Sequence, residues 1–321
     1  MSPSRELLER CSDETGYAIS PLEKVTRLGE FASNIGRHPL LGRVLALKGG
    51  TALNLCFGPP TRLSVDLDYN YLGQLERGKM IKERPNVEEA LAGLAARMQY
   101  QIQWSADAFA GRKLYLQYRS ALGVPDRIEV DVNYLFRLPL AGTVTKELWQ
   151  PSDMDRPTVT LVSLEEIIVG KLLAFFDRCA PRDLWDLANL HESAQSVAGS
   201  ASFRARFLAM SAILDHAVNT YGPDRIGRMV TERAMAEQLV PMLIAGEAPN
   251  RPALIEAAWG FAARFVTLAA NEEAYLAAIG RGELALEHLF PSAPPEAARL
   301  AHHPALLWKI TNVREHLKRS V

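Results

Sequence analysis

The stretch KGGTALNLCFGPPTRLSVDLDYN, residues 48–70, carries most of the information about the fold of this chain. It opens with two glycines, which predict a turn leading into a helix. Near its end, Leu67 stands between Asp66 and Asp68, and apolar and polar residues alternate on either side. This alternation predicts a β-strand on which the two carboxylates share one polar face.

Two features of this stretch are typical of a site for phosphates and metal ions. Gly49 and Gly50 allow the backbone to approach a triphosphate, and a helix beginning near Thr51 would direct its N-terminal amides at the phosphates. Asp66 and Asp68 can together hold two Mg²⁺ ions about 3.5–4 Å apart, the spacing used for in-line phosphoryl displacement. We expect a carboxylate from a neighbouring strand to complete this site.

The segment RIEVDVNYL, residues 127–135, supplies that third carboxylate. Asp131 lies centrally on the polar face of this predicted strand, and Glu129 on the same face is the alternative. The central position favours Asp131 as the third carboxylate.

Other interpretations of these residues remain open. A Gly-Gly pair is usually a turn, and an acidic strand face is usually solvated. Asp66, Asp68 and Asn70 match the first ligands of a calcium-binding EF-hand loop, but Tyr71 and Arg77 occupy the positions of its glycine and its bidentate glutamate. The order and spacing of the glycines and the aspartates together favour phosphoryl transfer.

The rest of the chain predicts an α+β protein with two domains. Three alternating segments predict strands: 63–72, 113–120 and 127–135. Asn86 is predicted to cap a helix over 87–98 that covers the sheet. Long helical patterns follow a proline-containing stretch, which predicts domains at 1–155 and 156–321.

The first helix of the second domain carries two cations on one face. Ser163 and Glu166 form a capping box that predicts a helix over 164–178. Lys171 and Arg178 lie two turns apart on it and can clamp the phosphates of an NTP. The alternative is an amphipathic helix whose basic residues are solvated.

The next helix is predicted to begin at Pro181, because proline is tolerated in a first turn. Asp183 and Asp186 follow and can position Lys171, Arg182 or the attacking hydroxyl of an acceptor. Alternatively, they stabilise the start of the helix by about 0.3–1 kcal/mol.

Arg62 and Ser64 precede Asp66 on the same side of the predicted strand. Arg62 is therefore expected to contact the triphosphate and Ser64 to lie beside it. The alternative for Ser64 is a plain strand hydroxyl.

The chain resembles the polymerase-β-like nucleotidyltransferase superfamily and, within it, the AbiEii/AbiGii toxin family, which includes the MenT toxins. The resemblance spans about residues 40–195 and is carried by three motifs: LKGGTAL (47–53), RLSVDLDYN (62–70) and KLLAFFDRCAPRDLWDL (171–187). It implies a nucleotidyltransferase domain with a mixed sheet, followed by an α-helical domain that completes the cleft.

The resemblance also implies roles for individual residues. The predicted metal ligands are Asp66, Asp68 and Asp131, and the predicted catalytic residues are these three with Lys171 and Asp183. The predicted NTP-binding residues are Lys48, Gly49, Gly50, Thr51, Arg62, Ser64, Arg178 and Arg182. In related toxins the serine matching Ser64 is implicated in control by phosphorylation, and added negative charge beside the metal ligands would repel an NTP.

The family suggests a toxin that transfers NMP from an NTP, with Mg²⁺ or Mn²⁺, to the 3′ end of tRNA, and that has a cognate antitoxin. The alternatives are nucleotidylation of a protein or small molecule, and a non-catalytic nucleotide- or RNA-binding protein. Local positive charge favours RNA, because the last helical segment carries four cations: Lys309, Arg314, Lys318 and Arg319.

The composition is compatible with this interpretation. Lys and Arg (36) nearly balance Asp and Glu (37), so a nucleic acid would need a local basic face. Three cysteines without a CxxC pair support neither a disulfide framework nor a zinc site. No long uncharged apolar stretch occurs, so we expect a cytoplasmic protein without a membrane segment.

Overall fold

The computed structural model describes residues 3–319, which form two compact units. The first extends to Ser163 and also contains Leu239–Ala248; the second contains Leu164–Gln238 and the chain from Pro249 onward. The predicted boundary at 155/156 therefore differs from the structure in two respects. The strand Thr158–Val162 belongs to the first unit, and a later segment returns to that unit.

The described part of the first unit contains a seven-stranded sheet, five α-helices and a short 3-10 helix, Val240–Met242. Its helices are α1 (Arg5–Thr15), α2 (Ile19–Arg37), α3 (Leu41–Val44), α4 (Gly49–Cys56) and α5 (Arg77–Arg97). Its strands are β1 (Leu45–Lys48), β2 (Asp66–Tyr71), β3 (Gln101–Trp104), β4 (Gly111–Arg119), β5 (Pro125–Asn133), β6 (Thr143–Glu147) and β7 (Thr158–Val162).

The sheet is mixed, with strand order β3-β4-β5-β2-β1-β7-β6. β2 runs parallel to β5 and β1 parallel to β7, whereas the remaining neighbours are antiparallel. The apolar residues of β5, including Val130 and Val132, are buried on the face that α2 contacts. The opposite face therefore carries the polar residues that alternate with them.

Helix α5 begins earlier than the sequence predicts. Asn86 lies inside it and does not cap it, so that prediction is wrong. Pro85 lies inside α5, although proline lacks the donor for an i to i−4 hydrogen bond. The apolar stripe nevertheless continues across the proline, since Met80, Val87 and Leu91 are all fully buried. Tertiary packing of this face outweighs the local cost.

Backbone hydrogen bonds attach the segment Leu239–Ala248 to the rest of the first unit. The amide of Leu63 donates to the carbonyl of Met242 at 2.8 Å, and the amide of Ala245 donates to the carbonyl of Gly16 at 2.7 Å. These bonds fix the chain just before β2.

The second unit is α-helical. Its helices are α6 (Leu164–Asp177), α7 (Pro181–Ala188), α8 (Glu192–Ala198), α9 (Ala201–Ser211), α10 (Pro223–Met229), α11 (Glu232–Gln238), α12 (Arg251–Ala262), α13 (Ala270–Gly280), α14 (Pro294–Leu300) and α15 (Pro304–Arg319). α6 and α7 begin where the capping box and Pro181 predict. A mixed sheet with a helical unit confirms the predicted α+β class.

Within residues 3–319, no single helix has the length and apolar composition needed to cross a bilayer. Two consecutive helical segments, Arg251–Phe265 and Ala270–Gly280, reach that length and composition only when taken together, and the chain bends by 87° between them.

Candidate active site

The pairing of β2 with β5 brings four carboxylates together on the polar face of the sheet. Asp68 is the register partner of Asp131, and Asp66 is the partner of Glu129. Register partners on adjacent strands lie about 4.8 Å apart with their side chains on the same face. Both predicted candidates for the third carboxylate are therefore neighbours of the Asp66/Asp68 pair.

Gly49 places the start of α4 against Asp68. Its φ of +74° lies in the left-handed region, and a Cβ at this position would overlap the Asp68 carboxylate. The Thr51 hydroxyl, in the first turn, donates to the backbone carbonyl of Asp66. The positive end of the α4 dipole therefore faces the carboxylates. The close approach to Asp68 explains why position 49 is a glycine.

The two candidate third carboxylates differ in their ion pairs. Glu129 lies 3.2 Å from Lys113 Nζ and 3.2 Å from an Arg127 nitrogen, whereas Asp131 lies 4.0 Å from Lys113. Burial raises the pKa of Asp131, and the charge of Asp68 raises it further. The negative charge of Asp131 has less positive charge close to it than that of Glu129. A bound cation would therefore stabilise Asp131 more than Glu129.

This difference predicts unequal effects on catalysis. Asp131→Asn is expected to lower NMP transfer at least about a hundredfold, because it would remove a predicted metal carboxylate, while Glu129→Gln should cost less than about tenfold. Initial rates of label transfer from an NTP would measure both. Equal losses, or a larger loss for Glu129→Gln, would instead favour Glu129 as the third ligand.

Lys113 is a neighbour of both carboxylates that the sequence analysis did not single out. It pairs with Asp131 in the β4–β5 register, opposite Asp68. The alternation of residues 113–120 would have placed Lys113 on the polar face, but only the pairing register shows which carboxylates it meets.

The chemistry of this carboxylate group fits a divalent metal. Within residues 3–319, no group of three or more His, Cys, Asp or Glu side chains is arranged to hold a metal ion. Mg²⁺ is usually bound by one or two carboxylates together with substrate phosphates and waters, so a preformed three-carboxylate cage is not required. The negative charge that Asp68 adds to Asp131 is the feature that a cation would relieve.

Lys48 lies beside these carboxylates, whereas Arg62 and Ser64 are placed differently from the prediction. Lys48 is the register partner of Asp68, and its Nζ lies 5.8 Å from the ring centroid of Phe136. Arg62 is buried and donates to the carbonyl of Leu63 at 2.9 Å. Because β2 begins only at Asp66, the strand alternation used to place Arg62 and Ser64 on the polar face does not reach them.

Ser64 is also buried, with 5% of its surface exposed. A kinase would need this segment to open before it could reach the hydroxyl. The predicted NTP contacts of Arg62 and Ser64 therefore lack the geometric argument on which they rested.

The second unit contains a buried ion cluster that joins α6 to α7. Lys171 Nζ lies 2.6 Å from Asp186 and 3.5 Å from Asp183, and all three residues are buried. Arg178 donates to both oxygens of Asp183, at 2.8 and 3.2 Å. Lys171 thus lies inside a network, and the alternative of a solvated basic face does not apply to it. Arg182 is half-buried in the first turn of α7.

The ion pairs of the second unit predict its behaviour in acid. Burial raises the pKa of Asp183, but Lys171 and Arg178 outweigh that effect, so the net pKa is lowered. A lowered pKa means that the ionised form stabilises the fold above the unfolded value of about 3.9, and that this stabilisation disappears as pH falls through the folded pKa. The pKa of Asp131 is raised, so its protonation as pH falls stabilises the fold.

We therefore expect the amides of α6 and α7 to lose hydrogen-exchange protection before those of β2 and β5 as pH falls from about 7 to about 3. Protection factors from mass spectrometry would measure this order. Asp183→Asn should show a weaker pH dependence in α6 and α7, and loss of β2 and β5 first in the native protein would contradict the argument.

Two of the four basic side chains predicted to form an RNA-binding face on α15 bond to backbone carbonyls instead. Lys309 Nζ donates to the carbonyl of Leu214 at 2.7 Å, and Arg314 donates to the carbonyl of Gly282 at 2.7 Å. Lys318 and Arg319 lie in the last turn, with Lys318 exposed. This reduces the support for α15 as an RNA-binding surface.

The chain matches the family model described as nucleotidyl transferase AbiEii toxin, type IV TA system, over residues 36–281. The chain belongs to the AbiEii nucleotidyltransferase toxin family. This match includes all three motifs and confirms the resemblance predicted from them. An AbiEii chain is a nucleotidyltransferase toxin of a type IV toxin–antitoxin system, which implies an NTP substrate and a partner antitoxin.

The AbiEii fold is also found by comparison with solved structures. The structure is similar to MenT4, a nucleotidyltransferase toxin from Mycobacterium tuberculosis H37Rv, with a TM-score of 0.56 and 19% sequence identity over 91% of this chain and 99% of that chain. At this identity the similarity concerns the fold. A comparison with curated protein sequences gives no match.

Proposed function

We propose that this AbiEii protein transfers NMP from an NTP to an RNA acceptor, with the 3′ end of tRNA as the expected acceptor, in a reaction that requires Mg²⁺ or Mn²⁺. The observation that carries this proposal is the pairing of Asp68 with Asp131, beside the glycine turn that begins α4. Carboxylates at the positive end of a helix suit a metal-bound triphosphate.

Each group in the first unit has a proposed role. Asp66, Asp68 and Asp131 would hold the metal, which when bound stabilises the charge on the transferred phosphoryl group and on the leaving pyrophosphate. The amides of Gly49 and Gly50 bind phosphate oxygens, and the Lys48 ammonium adds positive charge beside them. Thr51 holds the backbone of the acidic strand against this turn through its bond to Asp66.

The cluster in the second unit has a positioning role and a binding role. We assign the positioning of the Lys171 ammonium to Asp183 and Asp186, because both carboxylates contact it in a buried environment. Arg178 has 65% of its side chain exposed while Asp183 fixes its guanidinium, so it can bind a phosphate. Arg182 remains a predicted phosphate contact.

The test is to incubate the purified protein with each labelled NTP and with total cellular RNA and protein. Label sensitive to RNase and resistant to protease is expected, and EDTA should abolish it until Mg²⁺ is restored. Protease-sensitive label would reject the RNA acceptor and support nucleotidylation of a protein. No label in either fraction would support a non-catalytic binding protein.

A further inference from the structure

The polar face of the sheet continues away from the carboxylates across β5, β4 and β3. The pairing registers align Asp66, Glu129, Tyr115 and Gln103 in one row across four strands, and Arg127, Gln117 and Gln101 in the next. Five side chains of these rows form a surface that we name the polar platform: Gln101, Gln103, Tyr115, Gln117 and Arg127.

The side chains of the polar platform are organised. The Arg127 guanidinium lies 4.5 Å from the ring centroid of Tyr115, and Gln117 donates to Gln103 at 3.1 Å. Gln101, Gln103 and Arg127 are exposed, whereas Leu114 and Leu116, which alternate with the β4 members of the platform, are fully buried. The platform is thus the solvent face of the sheet, and the other face is core at β4 and β5.

A cavity of about 750 Å³ opens at the end of the polar platform. Its lining includes Gln101, Gln117, Arg119 and Arg127. Along β5, Arg127 lies four residues from Asp131, which is roughly 14 Å at about 3.4 Å per residue. The cavity therefore lies beyond the position proposed for the NTP phosphates and is suited to a different part of the reaction's substrates.

The chemistry of this surface matches single-stranded RNA. An aromatic ring stacked with arginine offers a base-stacking position, and glutamine amides can donate to and accept from base edges and 2′-hydroxyls. Arg119, Arg127 and Lys113 supply positive charge. Lys113 and Arg127 share Glu129, Lys113 also lies 4.0 Å from Asp131, and Asp126 in the cavity lining pairs with Lys24 at 2.8 Å. A protein partner would need an interface with a more apolar centre than this surface provides.

We propose that the polar platform and its cavity bind the single-stranded end of the RNA acceptor and direct its terminal hydroxyl toward Asp131. This proposal rests on the proposed function, and it assigns the acceptor to β3, β4 and β5 in place of α15. Tyr115 stacks a base, the glutamines contact base edges and sugars, and Arg119 and Arg127 contact phosphates.

The test measures binding of a fluorescent single-stranded RNA oligonucleotide by anisotropy, in the absence of NTP. Tyr115→Ala is expected to weaken binding about tenfold or more, because it removes a stacking position, whereas Tyr115→Phe should stay within about twofold of the wild type. Arg119→Ala and Arg127→Ala should each reduce the slope of log K against log salt by about 0.7.

Arg281→Ala is a matched control for Arg127→Ala. Arg281 pairs with Glu283 two residues along at 3.1 Å and is 60% exposed, and Arg127 pairs with Glu129 two residues along at 3.2 Å and is 53% exposed. The control should leave RNA affinity and its salt slope unchanged. If it weakens binding as much as Arg127→Ala, or if no platform variant changes affinity, the platform assignment is overturned.

Binding without NTP separates this proposal from the proposed function. RNA binding that depends on the polar platform, in a protein that labels no acceptor, would support the platform and reject NMP transfer. RNase-sensitive labelling with unchanged affinity in every platform variant would support NMP transfer and reject the platform. Absence of any RNA binding at low salt would reject the platform directly.

Discussion

Asp68→Asn is expected to lower NMP transfer at least about a hundredfold while the free energy of unfolding stays the same or rises. The loss is expected because, in the proposed mechanism, Asp68 would hold a metal that stabilises charge on the transferred phosphate. The gain in stability follows because the charge of Asp68 raises the pKa of Asp131, its register partner, and so destabilises the ionised form.

The measurements are label transfer from an NTP and urea denaturation of the same preparations. Asp107→Asn is the control, since Asp107 belongs to the same unit and is 72% exposed in a surface ion pair; it should change neither quantity appreciably. A wild-type rate in Asp68→Asn would remove the basis for the metal site. A large fall in stability would show that Asp68 is structural.

Local alternation predicted the elements that carry this site. The polar face around Asp66 and Asp68, and the central position of Asp131, follow from a two-residue period that the sequence displays directly. The choice between Asp131 and Glu129 could not follow from the same pattern, because it depends on the register of two strands far apart in the chain and on where Lys113 and Arg127 place their charges.

The same reasoning fails where local pattern is extended too far. Alternation was carried back to Arg62, but β2 begins only at Asp66 and the chain before it is held by the backbone of Met242, a long-range contact. Asn86 was predicted to begin the helix over 87–98, yet α5 starts at Arg77 and its buried apolar face continues across Pro85. In both cases tertiary contacts override a local rule.

The helical face of Lys171 was predictable from spacing, but its burial was not. Lys171→Met is therefore expected to destabilise the protein by about 3–5 kcal/mol, because it removes the ammonium 2.6 Å from the buried Asp186, while Asp183 keeps its bonds to Arg178. Methionine is close to lysine in volume, so the loss reports charge and not a cavity. Urea denaturation would measure it.

A second substitution separates the structural role of Lys171 from its predicted part in the reaction. The double variant Lys171→Met with Asp186→Leu replaces a buried ion pair by apolar side chains and is expected to recover most of the stability. If the Lys171 ammonium takes part in NMP transfer, this stable variant should still be inactive, since charge is absent at position 171. Recovery of transfer together with stability would show that Lys171 acts only within the ion cluster between α6 and α7.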